Sequence, residues 1–190
     1  MTGAEAAVRA LEAAGVEYLF GLPGSTEAPL LDALAAGAGF RYLLALHESV
    51  AVGMADGYGR ASGRPGVASL HTSVGTANAL GAIYNAWRDA SPVVVTAGHK
   101  DTRLANRDGF CTVPDLAGLP RAFTKWSGES RAADQIAADL HRALRIAATP
   151  PCGPTFLALP EELLAAEAGG PAGTAPAPAG EGAARAWAPP

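Results

Sequence analysis

Val67-Ala68-Ser69-Leu70-His71-Thr72-Ser73-Val74-Gly75-Thr76, read together with Ser91-Pro92-Val93-Val94-Val95-Thr96-Ala97-Gly98, decides the fold. Residues 67–70 and 93–97 are short apolar runs with no regular polar alternation. A strand wetted on one face alternates, whereas a strand covered on both faces does not. Residues 75–89 lie between the two runs and are Ala-rich and long enough for several helical turns. Strand, helix, strand is the repeating unit of a parallel sheet.

The same pattern extends in both directions. Further strands are expected at 18–20, 42–46, 123–126 and 155–159, and further helices at 26–36, 49–62 and 132–148. Right-handed crossovers then give an α/β domain, a three-layer, doubly wound parallel sheet. At the N-terminus, Thr2 and Glu5 have capping-box spacing, and Gly15 suits the left-handed residue after a last helical turn. This segment lacks the continuous apolar stretch of a signal peptide, because Glu5, Arg9 and Glu12 interrupt it.

Composition narrows the class. Hydrophobic residues make up 49% of the 190, which excludes disorder throughout. The net charge of −4 comes with no basic cluster, so nucleic acid is not an expected partner. No apolar run approaches the ~20 residues that span a bilayer, so no membrane is expected either. Two distant cysteines, Cys111 and Cys152, form no metal motif and fit a reduced cytoplasm. The folded domain is expected over 1–167. Residues 168–190 are mostly Gly, Ala and Pro without period, and read as a linker or disordered tail.

In parallel sheets ligands gather where strands end. Four strand ends therefore call for attention, at 21–25, 47–48, 71–75 and 98–100, and the first three lead into helices. In Gly21-Leu22-Pro23-Gly24-Ser25-Thr26, either Ser25 or Thr26 caps the next helix, or the backbone passes close to a ligand that Ser25 faces. In Leu46-His47-Glu48-Ser49, Glu48 sits between an apolar strand and an apolar helix, where a carboxylate is costly without a partner. It is either a helix-capping acid or a functional one, with His47 incidental beside it. In His71-Thr72-Ser73-Val74-Gly75, Ser73 nearly sits in a nucleophile elbow, but His71 replaces the first glycine that strained turn requires. A serine hydrolase with His99 or His141 as base is thereby disfavoured. His71 is itself either structural or catalytic. Dinucleotide, P-loop and zinc-protease motifs are all missing from the sequence.

Taken together, Gly-Leu-Pro-Gly-Ser at 21–25, Leu-His-Glu-Ser at 46–49 with Ala-Asp-Gly-Tyr at 55–58, and Leu-His-Thr-Ser-Val-Gly-Thr-Ala-Asn at 70–78 resemble a known family. It is the N-terminal pyrimidine-binding domain of thiamine diphosphate (ThDP)-dependent 2-oxo acid decarboxylases and acetolactate synthases. The stretch 70–78 and Leu-Pro-Arg-Ala-Phe-Thr-Lys-Trp at 119–126 make it most similar to benzoylformate decarboxylase. The resemblance covers residues 2–167. It implies that Glu48 hydrogen-bonds the aminopyrimidine of the cofactor, that His71 moves protons on substrate-derived intermediates, and that Ser25 meets the substrate carboxylate. Pro23, Gly24 and Asn78 join Glu48 in the cofactor-binding set, and Leu22, Phe110 and Cys111 line the substrate pocket. Leu22 stands where benzoylformate decarboxylase has a polar amide, and His99 where the family has glutamine. The aromatic substrate of that enzyme therefore does not carry over.

The family also needs Mg²⁺, held with the cofactor diphosphate through Gly-Asp-Gly followed by Asn-Asn. Neither Asp56-Gly57 nor Asp108-Gly109 follows a glycine, and Asn78, Asn85 and Asn106 are never adjacent. No metal ligand is therefore assigned to this chain, and the expected partner is a diphosphate-binding domain or subunit of the same enzyme, in an oligomer. Decarboxylation of a 2-oxo acid is the expected reaction. Carboligation and a non-catalytic interaction domain are the alternatives.

Overall fold

The computed structural model describes residues 1–169. Six strands form one parallel sheet: β1 (Tyr18–Gly21), β2 (Arg41–Leu44), β3 (Gly66–His71), β4 (Val93–His99), β5 (Trp126–Glu129) and β6 (Thr155–Pro160). Their spatial order is β2-β1-β3-β4-β6-β5. Chain direction across the sheet reverses between β1 and β3, which makes the carboxyl ends of these two strands a switch point.

Helices cover both faces, as the unbroken apolar strands require. On one face α1 (Gly3–Ala13) and α5 (Ile136–Ala148) pack with Leu19, Val67, Val94 and Leu157. On the other, α3 (Glu48–Ser62) and α4 (Thr72–Arg88) pack with Phe20, Ala68, Val95 and Phe156. Neighbouring residues of a strand thus point into different cores, the period-two geometry of a pleated strand. Two shorter helices, α2 (Ala28–Ala35) and α6 (Glu161–Ala165), follow β1 and β6. No helix of the described residues is long and apolar enough to cross a membrane.

Local chemistry explains several boundaries. Thr2 Oγ1 accepts from the Glu5 N–H and the Glu5 carboxylate accepts from the Thr2 N–H, which closes the expected capping box. Gly15 follows α1 at φ 71°, the left-handed region expected there. Lys125 Nζ donates to the Ile146 and Thr149 carbonyls, both at 2.6 Å, so its ammonium satisfies the carbonyl end of α5. The ends of the described chain meet. The Gly3 N–H donates to the Ala166 carbonyl at 2.9 Å, the Ala168 N–H donates to the Met1 carbonyl at 2.8 Å, and the Met1 ammonium lies 3.0 Å from Glu167 Oε2.

Some elements differ from expectation. The strand expected at 123–126 starts at Trp126 and runs through Glu129. Phe123 instead lies in a 3₁₀ turn, and its ring packs edge-on to Tyr84, with centroids 5.3 Å apart. Its hydrophobicity serves the contact with α4, while β5 is a half-buried edge strand that tolerates Ser127 and Glu129. The helix expected at 26–36 opens with a 3₁₀ turn (Ser25–Glu27) and becomes α-helical at Ala28. The stretch 170–190, most of the expected linker, lies outside the described residues.

Candidate active site

Both loops of the switch point converge on one buried acid. Glu27, in the 3₁₀ turn after β1, has a side chain only 3% exposed. Its Oε2 accepts from the Gly24 N–H at 2.7 Å and lies 2.9 Å from His71 Nδ1 at the end of β3. Its Oε1 accepts from the Thr26 hydroxyl at 2.7 Å. A carboxylate this deep is tolerated because these donors surround it. The 3₁₀ turn follows from the same contacts. Gly24, not Ser25 or Thr26, is the N-cap, and the Glu27 carboxylate reaches back to it.

The arrangement dictates the tautomer of His71. Thr26 Oγ1 lies 3.0 Å from Nδ1, but its proton goes to Glu27, so towards the ring it can only accept. Nδ1 therefore faces two acceptors and must carry a hydrogen. Nε2 is left as the ring nitrogen available for proton exchange, and no described residue hydrogen-bonds it. Two glycines make room for the cluster. A Cβ at Gly24 would overlap the His71 ring, and one at Gly98 would overlap Glu27 and Thr26. Behind the cluster the Tyr42 hydroxyl is buried without a hydrogen-bond partner among the described residues. Burial first, then the charge of Glu27, push its pKa up to about 12, which keeps it neutral.

A second acid lies at the start of α3. Glu48 is 7% exposed, and its Oε2 accepts from Asn78 Nδ2 at 3.0 Å. Gly75 packs against it: a Cβ there would sit 3.1 Å from Glu48 Cγ. Glu48 Oε1 accepts no hydrogen bond from the described residues. The helix is capped by His47, whose Nδ1 accepts from the Ser49 N–H at 3.2 Å. His47 thus takes the capping role weighed for Glu48. The surface nearby is unusually apolar, with Leu46 88% exposed and Val50 and Val74 each 50% exposed.

The remaining candidates divide. Ser25 is exposed on the rim, and its Oγ accepts from Lys100 Nζ at 3.0 Å. Leu22 and Pro23 are half-buried in the same loop. Cys111 joins the site through its backbone, since its carbonyl accepts from Ser73 Oγ at 2.9 Å. Phe110 is 90% exposed and packs into nothing described. Ser73 is unsuited to be a nucleophile, because its proton is committed to that carbonyl. His99 is held by Glu129 at 2.8 Å, and His141 belongs to α5 on the opposite face of the sheet from Ser73. The strained residue of the loop is Thr72, at φ 52°. Sequence reasoning passed over Glu27 and reached Lys100 only as part of the strand end at 98–100, without a role. Glu27 carried a signal, the Gly-x-x-Glu spacing from Gly24, and Lys100 carried its place just after a strand.

Residues 1–119 match the family described as "Thiamine pyrophosphate enzyme, N-terminal TPP binding domain". This chain belongs to that family. A benzoylformate decarboxylase of Pseudomonas aeruginosa is 37% identical over 86 residues, 45% of this chain and 16% of that protein. A probable acetolactate synthase large subunit of Methanocaldococcus jannaschii is 36% identical over 163 residues, 86% of this chain and 27% of that protein. Among solved structures, a putative thiamin diphosphate-dependent enzyme from Mycobacterium smegmatis superposes with a TM-score of 0.80 at 35% identity, covering 85% of this chain and 31% of that one. The benzoylformate decarboxylase of Polynucleobacter necessarius does so with a TM-score of 0.80 at 30% identity, covering 85% and 30%. The chain thus spans less than a third of the length of each of these relatives.

Proposed function

We propose that this chain supplies the pyrimidine-binding half of a ThDP-dependent enzyme that decarboxylates a 2-oxo acid. The observation that carries this reading is Glu48: a buried carboxylate, oriented by Asn78, with one oxygen left over beside an open apolar surface. That donor set fits an aminopyrimidine, which offers a ring nitrogen for a carboxyl and an apolar face for Leu46, Val50 or Val74. Bound ThDP supplies a carbon nucleophile and an electron sink for loss of CO₂. Glu48 holds the ring and exchanges a proton with it, and Asn78 fixes the orientation of Glu48. Pro23 and Gly24 bring backbone close to the cofactor. Ser25 meets the substrate carboxylate, and His71 delivers a proton from Nε2, steadied through Nδ1 by Glu27. Leu22 and the 110–111 segment shape the substrate pocket, with Phe110 free to fold over it.

Among the described residues no cluster of His, Cys, Asp or Glu has the arrangement to hold a metal ion. Because the chain belongs to the N-terminal domain family and spans 27% of a full-length relative, we assign Mg²⁺ and the cofactor diphosphate to a second domain or subunit, docked in an oligomer on the exposed face of α3 and α4. Gly53, Gly57 and Gly81 leave that face open. The two free cysteines suit the cytoplasm. Protonation by His71 favours decarboxylation over carboligation. The acetolactate synthases that match most of this chain keep carboligation as the second reading, and product analysis separates a released aldehyde from a 2-hydroxy ketone.

Calorimetric titration of ThDP and Mg²⁺ is the direct test, on this chain alone and mixed with a protein carrying the diphosphate-binding domain. Tight binding only in the mixture is the expected result. No heat in any such mixture would favour a non-catalytic interaction domain.

The His71 assignment is open to measurement on the isolated chain. Nitrogen NMR of the labelled imidazole should show hydrogen on Nδ1 in the neutral ring, and Glu27→Gln should shift the population towards Nε2–H. In the assembled enzyme the same variant should lose about 10- to 100-fold in kcat and displace the pH profile. A wild-type ring protonated on Nε2 would refute the positioning role of Glu27.

A further inference from the structure

Lys100 follows β4 and leans across to the loop after β1. Its ammonium donates to Ser25 Oγ at 3.0 Å, and its side chain is 22% exposed. This contact occupies one lone pair of the serine oxygen and turns the serine proton towards the open side. Its ion-pair partner is Glu161, whose Oε2 stands 3.8 Å from Nζ, beyond hydrogen-bond reach, so the pair is loose and partly exposed. The neighbouring acids also accept hydrogen bonds or pair elsewhere. Glu161 Oε1 accepts from the Asp101 N–H at 3.3 Å, Asp101 is paired with Arg103, and Glu162 accepts from the Thr102 N–H at 3.1 Å. An ammonium has three donors and Ser25 is the one acceptor within hydrogen-bond reach among the described residues, so Lys100 can exchange its loose pairing with Glu161 for an anion beside Ser25.

The reacting carboxylate is a poor use of that charge. It becomes neutral CO₂, so a cation against it would stabilise the ground state more than the transition state and oppose the reaction. The neutral Ser25 hydroxyl suits it better. A cation helps throughout only against a charge that the reaction leaves in place. On the reading that this site processes a 2-oxo acid, we propose that Lys100 is a specificity-determining residue that receives a second carboxylate, so that the preferred substrate is a short 2-oxo dicarboxylate. The adjacency of Lys100 and Ser25 calls for a short spacer between the two carboxylates.

The test uses the enzyme assembled from this chain and its diphosphate-binding counterpart, with 2-oxoglutarate and 2-oxopentanoate, which match in chain length and differ in the second carboxylate. The wild type should prefer the dicarboxylate by about tenfold or more in kcat/KM, and Lys100→Met should cut that ratio by about tenfold, mainly through KM. A wild type without this preference, or a ratio that survives the substitution, overturns the proposal. Absence of turnover with any 2-oxo acid would instead refute the reaction, and the anion site is then read directly. Glutarate should move the Ser25 and Lys100 amide resonances of the labelled chain, and Lys100→Met should abolish the movement. Unmoved resonances in the wild type would refute the anion site.

Discussion

Glu48→Gln is expected to lower kcat of the assembled enzyme by about 100- to 1000-fold, the lower part of the range for removing a positioned acid–base group. Glutamine has almost the same shape, and its amide oxygen can still accept from Asn78 Nδ2, which lies 3.0 Å from Glu48 Oε2 in the native site. The fold should therefore be unaffected, because α3 is capped by His47 and not by Glu48. What disappears is the exchangeable proton at the remaining oxygen. Steady-state kinetics with saturating ThDP, beside a thermal melt of the variant, separate chemistry from folding. Activity within about threefold of wild type, well short of a tenfold step, would remove Glu48 from the mechanism and with it the main support for the proposed function.

Gly66→Ala is expected to destabilise the domain by about 3 kcal/mol, the upper part of the range for overpacking. The added methyl group would overlap the carbonyl oxygen of Ala55, a backbone atom inside α3. Flexible side chains can move aside, but this contact yields only if the whole helix shifts from the sheet. Both α3 and β3 are closely packed there, since Ala51, Val52, Ala55, Val67 and Ala68 are all fully buried. Urea unfolding should report the loss, and a melt should fall by about 6–12 °C for a domain of this size. Unchanged stability would mean that the helix and strand lie farther apart than described.

The central strands and the helices between them were legible because burial on both faces leaves no room for polar residues. Val93, Val94 and Val95 show that condition in three letters. The edge strand β5 was misplaced because an edge is only half buried, so Ser127 and Glu129 carry no strand signal while Phe123 carries a misleading one. Glu48, Ser25 and His71 could be picked out because each follows a strand, and family resemblance gave them roles. Glu27 and Lys100 could not be paired with them from sequence. Their partners are 44 and 75 residues away along the chain, and only the sheet brings them together.

The clasp between Met1–Gly3 and Ala166–Ala168 has a geometric consequence. The N-terminus of α1 meets the helix that follows β6, so both ends of the described chain emerge at the carboxyl edge of the sheet, the same rim that carries Ser25 and His71. Anything tethered at residue 168 begins its search a short distance from the site. A short flexible tether holds its cargo at millimolar effective concentration. Covalent attachment at that point would therefore favour capture of a weakly docking second domain without any new contact.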